Sequence, residues 1–266
     1  MLQAQNGRLT IDGATMDYIR FGSGSRSLVM IPGVGDGLKT VKCMALPFAW
    51  MYRALAKDFT VTVFSRRNEL VPGTGTREMA ADLSRAFEQL NLRGAAVVGV
   101  SQGGMIAQWL AIDHPELVRK LVLTVTLSRS NPTAEDVIGR WLKMAENGDY
   151  RGIMLDTAER SYSPKRIAQA RKTYGLLGNL GKPKSFDRFR IQAESCLTHN
   201  AWEALPRIAC PTLVIGGEED RIVTGEASRE IAARIPGSEL VMVPGLGHGL
   251  YEEDPEFLKR VIAFCQ

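Results

Sequence analysis

One run, VVGVSQGGMIAQWLA over residues 97–111, sets a serine between two glycines where an apolar strand pattern turns into a helical one. A serine hydroxyl is a weak nucleophile until a base takes its proton and the backbone exposes it. A tight strand-to-helix turn would lift Ser101 above a sheet edge, and such a turn leaves no room for side chains at Gly99 and Gly103. It also brings the N–H of Gln102 into the first turn of a helix, whose positive dipole end favours an oxyanion. A glycine-rich turn in which the serine merely caps the helix would use the same residue types. A base is therefore the next requirement.

The chain has three histidines. His114 is thirteen residues beyond Ser101, roughly 20 Å away along a helix rising 1.5 Å per residue, and it precedes Pro115, as a helix end would. His199 falls in a helical stretch and reads as a surface or capping residue. His248 lies in PGLGHGLYEE, a glycine-rich loop directly after a strand pattern, and is the candidate base. An imidazole in that role needs a carboxylate to hold one tautomer and stabilise its cation. The run IGGEEDRIV over 215–223 offers Glu218, Glu219 and Asp220, whereas the loop after LVLTVTL reads SRSNPT and offers none. Spacing alone leaves Glu219 and Asp220 both open.

Short β-branched runs alternating with helical patterns would position these residues. TMDYIRF (15–21) and LVMIP (28–32) read as a hairpin turning at residues 22–25, before a helix over 44–57 and a strand VTVF at 61–64. Residues 76–90 carry Met79, Leu83, Phe87 and Leu90 on one helical face, opening at Thr76 without a capping box. AAVVGV (95–100), a helix from 102 to about 113, and KLVLTVTL (120–127) follow. The alternation resumes with PTLVIGG (211–217), a helix over 225–235, ELVMVPG (239–245) and a closing helix from Pro255. Apolar strands separated by helices imply an α/β fold whose mostly parallel central sheet is covered on both faces. In such sheets ligands bind at the carboxyl ends of the strands.

Residues 130–206 lack a strand pattern. Thr133 with Asp136 resembles a capping box for a helix ending at Asn147-Gly148. Ser163-Pro164 reads as a second start, with Gly175 as its end, then a loop at 178–184 and a third helix from Ser185. The stretch is too long for an ordinary crossover. It is read as a helical cap, 130–206, inserted into a core made of 1–129 and 207–266.

Composition narrows the class. Hydrophobic residues at 45% and charged residues at 23% suit a globular chain with a sizeable core, and a net charge of +4 without a Lys/Arg run argues against a nucleic-acid partner. Cys43, Cys196, Cys210 and Cys265 are scattered without a metal-ligand spacing and read as reduced core thiols, with no metal and no organic cofactor implied. No apolar run approaches the roughly 20 residues of a membrane span, and the N-terminus lacks a signal-peptide pattern. A cytoplasmic location is expected, and a homodimer is compatible with the chain.

The order Ser…Asp…His, the strand–helix alternation and the helical insertion together resemble the α/β-hydrolase superfamily over essentially the whole chain, through the motifs GVSQGG, GGEEDRIV and GLGHG. The resemblance implies an α/β-hydrolase fold with Ser101 as nucleophile, Asp220 rather than Glu219 as orienting acid, and His248 as base. It implies an oxyanion hole from the backbone N–H groups of Gln102 and Val34, the latter in IPGVGDG, where Gly33 and Gly35 signal a tight path. Two departures stand out. Pro32-Gly33 replaces the family's frequent His-Gly, and SRRNELVPGTG replaces its Asp-x-Arg-Gly-x-Gly stretch. Both fall where pocket walls are built, so they bear on substrate more than on reaction class.

The resulting expectation is a serine hydrolase, a carboxylesterase or lactonase similar to enol-lactone hydrolases, acting on a small or medium ester or lactone. Carbon–carbon bond hydrolysis, cofactor-free perhydrolysis and a receptor-like binding role on the same fold are the alternatives. The cap should set substrate choice. It holds 12 Lys/Arg and 9 Asp/Glu, so +3 of the chain's +4 lies there. Arg160, Arg188 and Arg190 are read as solvated, with pairing to a substrate carboxylate as the alternative. Trp141, Leu142, Met144, Phe186 and Phe189 are read as helix-packing residues.

Overall fold

The computed structural model describes residues 3–178 and 180–266, the side chains of 174–177 excepted. In chain order the core opens with β1 (Gln5–Ile11), β2 (Ala14–Phe21), β3 (Arg26–Ile31), α1 (Ala45–Met51), β4 (Phe59–Arg67) and α2 (Thr76–Gln89). It continues with β5 (Ala95–Val100), α3 (Gln102–Asp113) and β6 (Val118–Thr124). Four helices then intervene: α4 (Pro132–Glu146), α5 (Tyr150–Ser161), α6 (Pro164–Leu177) and α7 (Asp187–Thr198). The chain closes with β7 (Thr212–Gly217), α8 (Gly225–Arg234), β8 (Glu239–Val243), α9 (Leu250–Glu253) and α10 (Phe257–Cys265).

The eight strands form one sheet in the order β1-β2-β4-β3-β5-β6-β7-β8. From β4 onward the pairings are parallel, while β1–β2 and β2–β4 are antiparallel. Alternation along each strand divides the core. Val29, Ile31, Val97 and Leu121 face α2 and α3, where they meet Leu83, Phe87 and Ile106. Leu28, Met30, Val98 and Val122 face the other way, toward Ala49 of α1 and Phe257 and Val261 of α10. Because both faces are covered, β5 and β7 are buried along their whole length. Helix α3 sits between the sheet and α2, so ten of its twelve residues are buried and it has no polar face.

The inserted helices have their own apolar cluster. Val137, Ile138 and Trp141 of α4 meet Ile153 of α5 and Phe189 and Ala193 of α7, and the cluster reaches Met105 of α3 and Ile222. Trp141 and Phe189 are therefore packing residues, as expected.

Several local expectations are corrected. The strands at 14–21 and 26–31 do not pair, because β4 lies between them; the hairpin is β1–β2, turning at Asp12-Gly13. The helix expected over 44–57 stops at Met51, with a separate 3-10 turn at Leu55–Lys57. Helix α2 is capped at Gly75, whose N–H donates to Glu78 Oε2 at 3.0 Å. Helix α4 is capped by Asn131, which accepts from Ala134 N–H at 2.9 Å, rather than by Thr133. Helix α5 lies between the first two helices expected, α6 runs past Gly175 to Leu177, and α7 begins at Asp187 rather than Ser185. The loop expected at 178–184 includes Asn179, which lies outside the described residues. Cys43 is exposed, not a core thiol. Among the described residues no helix is long and apolar enough to cross a membrane.

Candidate active site

Ser101 occupies the turn between β5 and α3 with φ +54° and ψ −122°. An L-residue in that region carries about 1–3 kcal/mol of strain. Neighbours hold it there. Its N–H donates to the Thr124 carbonyl at 2.9 Å, and its own carbonyl accepts from Gly104 N–H at 2.8 Å and Thr126 Oγ1 at 2.7 Å. The flanking glycines are sterically required: a Cβ on Gly99 would fall 2.5 Å from the Gly103 carbonyl oxygen, and one on Gly103 would collide with the carbonyl of Ile31.

The loop after β3 packs on this serine. Gly33 is extended and Val34 opens a 3-10 turn, Val34–Gly37. A Cβ on Gly33 would lie 3.2 Å from Ser101 Cβ and 3.7 Å from its Oγ, whereas one on Gly35 would meet open space. Of these two glycines only Gly33 signals the tight path, while Gly37 at the end of the turn would set a Cβ 2.6 Å from Phe189 Cα. Val34 and Gln102 each stand at the start of a helical turn, where backbone N–H groups have no intrahelical acceptor.

Residues after β7 and β8 meet at the same end of the sheet. His248 Nδ1 lies 2.8 Å from Asp220 Oδ2, and both side chains are buried. Asp220 Oδ1 accepts from the N–H groups of Ile222 at 2.8 Å and Val223 at 3.0 Å. Burial alone would raise the carboxyl's pKa, but His248 and these hydrogen bonds outweigh it and hold the group below the usual carboxylate range. An ionised carboxylate only accepts, so Nδ1 carries the proton of the neutral imidazole and Nε2 is left with a lone pair. Glu218 and Glu219 are exposed, and Glu218 is engaged by Arg229. His248 and Asp220 are brought together; the other two acids are not.

The remaining histidines lie elsewhere. His114 ends α3, as expected. His199, expected at the surface, is buried at the end of α7, with Nδ1 2.8 Å from Thr76 Oγ1 and an edge-on contact with Trp109. Its desolvation pushes the imidazole pKa down to about 3.

A buried ionic group that sequence reasoning missed lies under the Gly33–Gly37 loop. Asp36 pairs with Arg188 of α7 and accepts from Arg66 N–H at 3.1 Å. Burial works against the Asp36 carboxylate, but Arg188 and Arg66 overcome it and lower its pKa. Burial likewise lowers the Arg66 guanidinium, to about 10, which leaves it charged at neutral pH. Arg188 is thus committed to Asp36, and Arg160 to Asp156 at 2.8 Å. Arg190 borders a separate cavity of about 350 Å³ with Leu70, Asp187 and Glu194. The SRRN run at the end of β4 was the one available signal for Arg66. A second cavity, of about 230 Å³, is walled by Pro32, Gly33, Val100, Phe48, Tyr52 and Tyr251, among others. It borders both the loop and the residue before Ser101.

The sequence model of the family described as alpha/beta hydrolase fold matches residues 26–255. The chain belongs to that family. Within the alpha/beta hydrolase family it is 29% identical over 213 residues to a candidate non-heme bromoperoxidase, BpoC, of Mycobacterium tuberculosis, covering 76% of this chain and 80% of that protein. Its fold matches MGS-M2, an alpha/beta hydrolase enzyme from a Medee basin deep-sea metagenome library, with a TM-score of 0.85 at 20% identity, over 97% and 96% of the two chains. It also matches the enol-lactonase of Burkholderia xenovorans LB400, with a TM-score of 0.82 at 18% identity, over 97% and 99%. At those identities the two structures bear on the fold alone.

Proposed function

We propose that the chain is a serine hydrolase that cleaves a small or medium carboxylic ester or lactone through an acyl-enzyme on Ser101. The hydrogen bond from His248 Nδ1 to buried Asp220 carries this reading, because it fixes the tautomer that leaves Nε2 basic. Ser101 gives its proton to Nε2 as Oγ adds to the carbonyl carbon. The N–H groups of Val34 and Gln102 receive the oxyanion. Collapse of the adduct expels the alkoxide, which takes the proton from His248; from a lactone that alcohol stays tethered to the acyl chain. Water, deprotonated by the same imidazole, then adds to the acyl carbon, and a second collapse releases the acid and returns the proton to Ser101.

Residues 130–206 act as a cap that sets substrate choice over a core of 1–129 and 207–266. The 230 Å³ cavity, apolar apart from Glu252 and two tyrosine hydroxyls, suits a small apolar substituent of the ester. A second reading is supported by the similarity to the candidate bromoperoxidase: hydrogen peroxide replaces water as acceptor of the same acyl group, giving a peracid.

The test is turnover of a graded set of p-nitrophenyl esters and lactones by the wild type and Ser101→Ala, with hydrogen peroxide added in parallel. Hydrolysis by the wild type alone supports the reading. Hydrolysis surviving in Ser101→Ala overturns it, and absence of any turnover in the wild type moves the assignment to a binding protein of this fold.

A further inference from the structure

The buried guanidinium of Arg66 touches both sides of the candidate oxyanion hole with a single nitrogen. Arg66 Nη2 donates to the Pro32 carbonyl, two residues before Val34, and to Gln102 Oε1 at 2.9 Å. The first contact belongs to the loop after β3 and the second to the residue after Ser101. These segments are 70 residues apart in sequence (102 minus 32), and both hydrogen bonds come from the end of β4. Gln102 is itself fully buried, and its amide also reaches outward. Gln102 Nε2 donates to the Gln192 carbonyl at 2.7 Å and to Ser195 Oγ at 3.0 Å, both on α7. The same helix supplies Arg188, which donates to the Arg66 carbonyl at 2.9 Å and pairs with Asp36. One polar assembly thus joins β4, the loop after β3, the head of α3 and α7.

A buried charged assembly is costly to build and is weak evidence for stability by itself. An apolar packing of the same volume would suffice if the fold were its only purpose. What a rigid guanidinium adds over apolar packing is direction, since its hydrogen bonds tie two separate backbone segments to one point. An oxyanion hole requires its two backbone N–H groups to be held in place. Together, two arginines and one aspartate also leave one positive charge in excess beneath the hole, a sign that favours a developing oxyanion.

We propose that Arg66 and the Gln102 side chain are positioning residues for the oxyanion hole, holding the Val34 and Gln102 N–H groups in register and fastening them to α7. The inference rests on the serine-hydrolase reading and deepens it. Neither side chain touches the substrate; they act through the backbone they hold.

The test uses Gln102→Met, which keeps the backbone donor, the side-chain volume and every charge but removes the acceptor of Arg66. Arg66→Lys and Arg66→Met accompany it. In Gln102→Met, kcat falls by about tenfold to a hundredfold, the scale of a small misplacement of catalytic groups, while KM stays within twofold. Inhibition by a boronic acid, which forms a tetrahedral adduct on serine, weakens by a similar factor. Arg66→Lys, with its charge and one donor retained, loses less than Arg66→Met. A readout independent of turnover is hydrogen exchange in a peptide covering residues 32–38, which speeds up in Gln102→Met. A folded Gln102→Met with kcat, boronate inhibition and exchange all within twofold of wild type overturns the proposal. Failure of the underlying reading shows up differently, as a wild type that turns over no ester.

Discussion

His248 Nδ1 stands 2.8 Å from Asp220 Oδ2, while the other oxygen of that carboxylate is occupied by the N–H groups of Ile222 and Val223. The carboxylate is thereby fixed in rotation as well as in charge. Asp220→Asn keeps an acceptor for the two N–H groups but turns an amide N–H₂ toward His248, which favours the wrong tautomer. We expect kcat to fall by about 10⁴-fold with the fold intact by circular dichroism, and Glu219→Gln to stay within twofold of wild type. A large loss in Glu219→Gln instead would transfer the role to the neighbouring acid.

Gly33→Ala isolates the space around Ser101, the proposed nucleophile, because Gly33 has φ −72°, which alanine adopts without strain. Its new methyl would sit 3.2 Å from Ser101 Cβ and 3.7 Å from Oγ. We expect kcat/KM to drop on the order of tenfold, from crowding of the near-attack geometry, with thermal stability little changed. Gly139→Ala, on α4 where a Cβ meets nothing, is the control. Equal activity of the two variants would mean that the loop yields freely at Ser101.

The ion group under the loop predicts an asymmetry in stability. Asp36→Asn leaves Arg66 and Arg188 buried together without a counter-charge and should cost about 3–5 kcal/mol in urea unfolding. Arg188→Met leaves Asp36 still facing Arg66 and should cost less. A smaller loss in Asp36→Asn than in Arg188→Met would contradict the assignment of Asp36 as the central charge.

His199 makes stability depend on acid. Its folded pKa, pushed down to about 3 by burial, lies below the unfolded value, which is about 6.5. Between those values the unfolded chain binds a proton that the native imidazole refuses. The contribution is complete above the unfolded value and declines as pH falls toward the folded one, by about 1.4 kcal/mol per pH unit at most. Urea unfolding at pH 7, 5 and 4 should therefore show a shallower decline for His199→Gln than for wild type. Parallel curves would place the acid sensitivity elsewhere.

Two of the residues proposed for acyl transfer, Ser101 and His248, were readable as candidates because each is marked by its own local chemistry. Ser101 is marked by glycines that only a colliding backbone requires, and His248 by a loop at a strand end. Asp220 needed the family resemblance, since only the fold separates it from exposed Glu219. Strand pairing was less legible. The glycines at 22–24 suit a hairpin turn, yet Gly22 instead turns the chain past Ala56 and Phe59 so that β4 can enter between β2 and β3. Helix α5 escaped notice because only Ile153, Ala158 and Ser161 are buried, too few to set an apolar period. The Asp36–Arg66–Arg188 group joins residues up to 152 apart in the chain, and no local pattern records such a meeting.

The central claim is that Ser101 forms a covalent bond to an acyl group. Treating the protein with a fluorophosphonate and mapping the adduct by peptide mass spectrometry tests it most directly. The predicted result is one equivalent of label on the peptide containing Ser101, lost in Ser101→Ala and slowed in Asp220→Asn. Label on another residue, or an unmodified protein that nonetheless hydrolyses esters, would contradict the account.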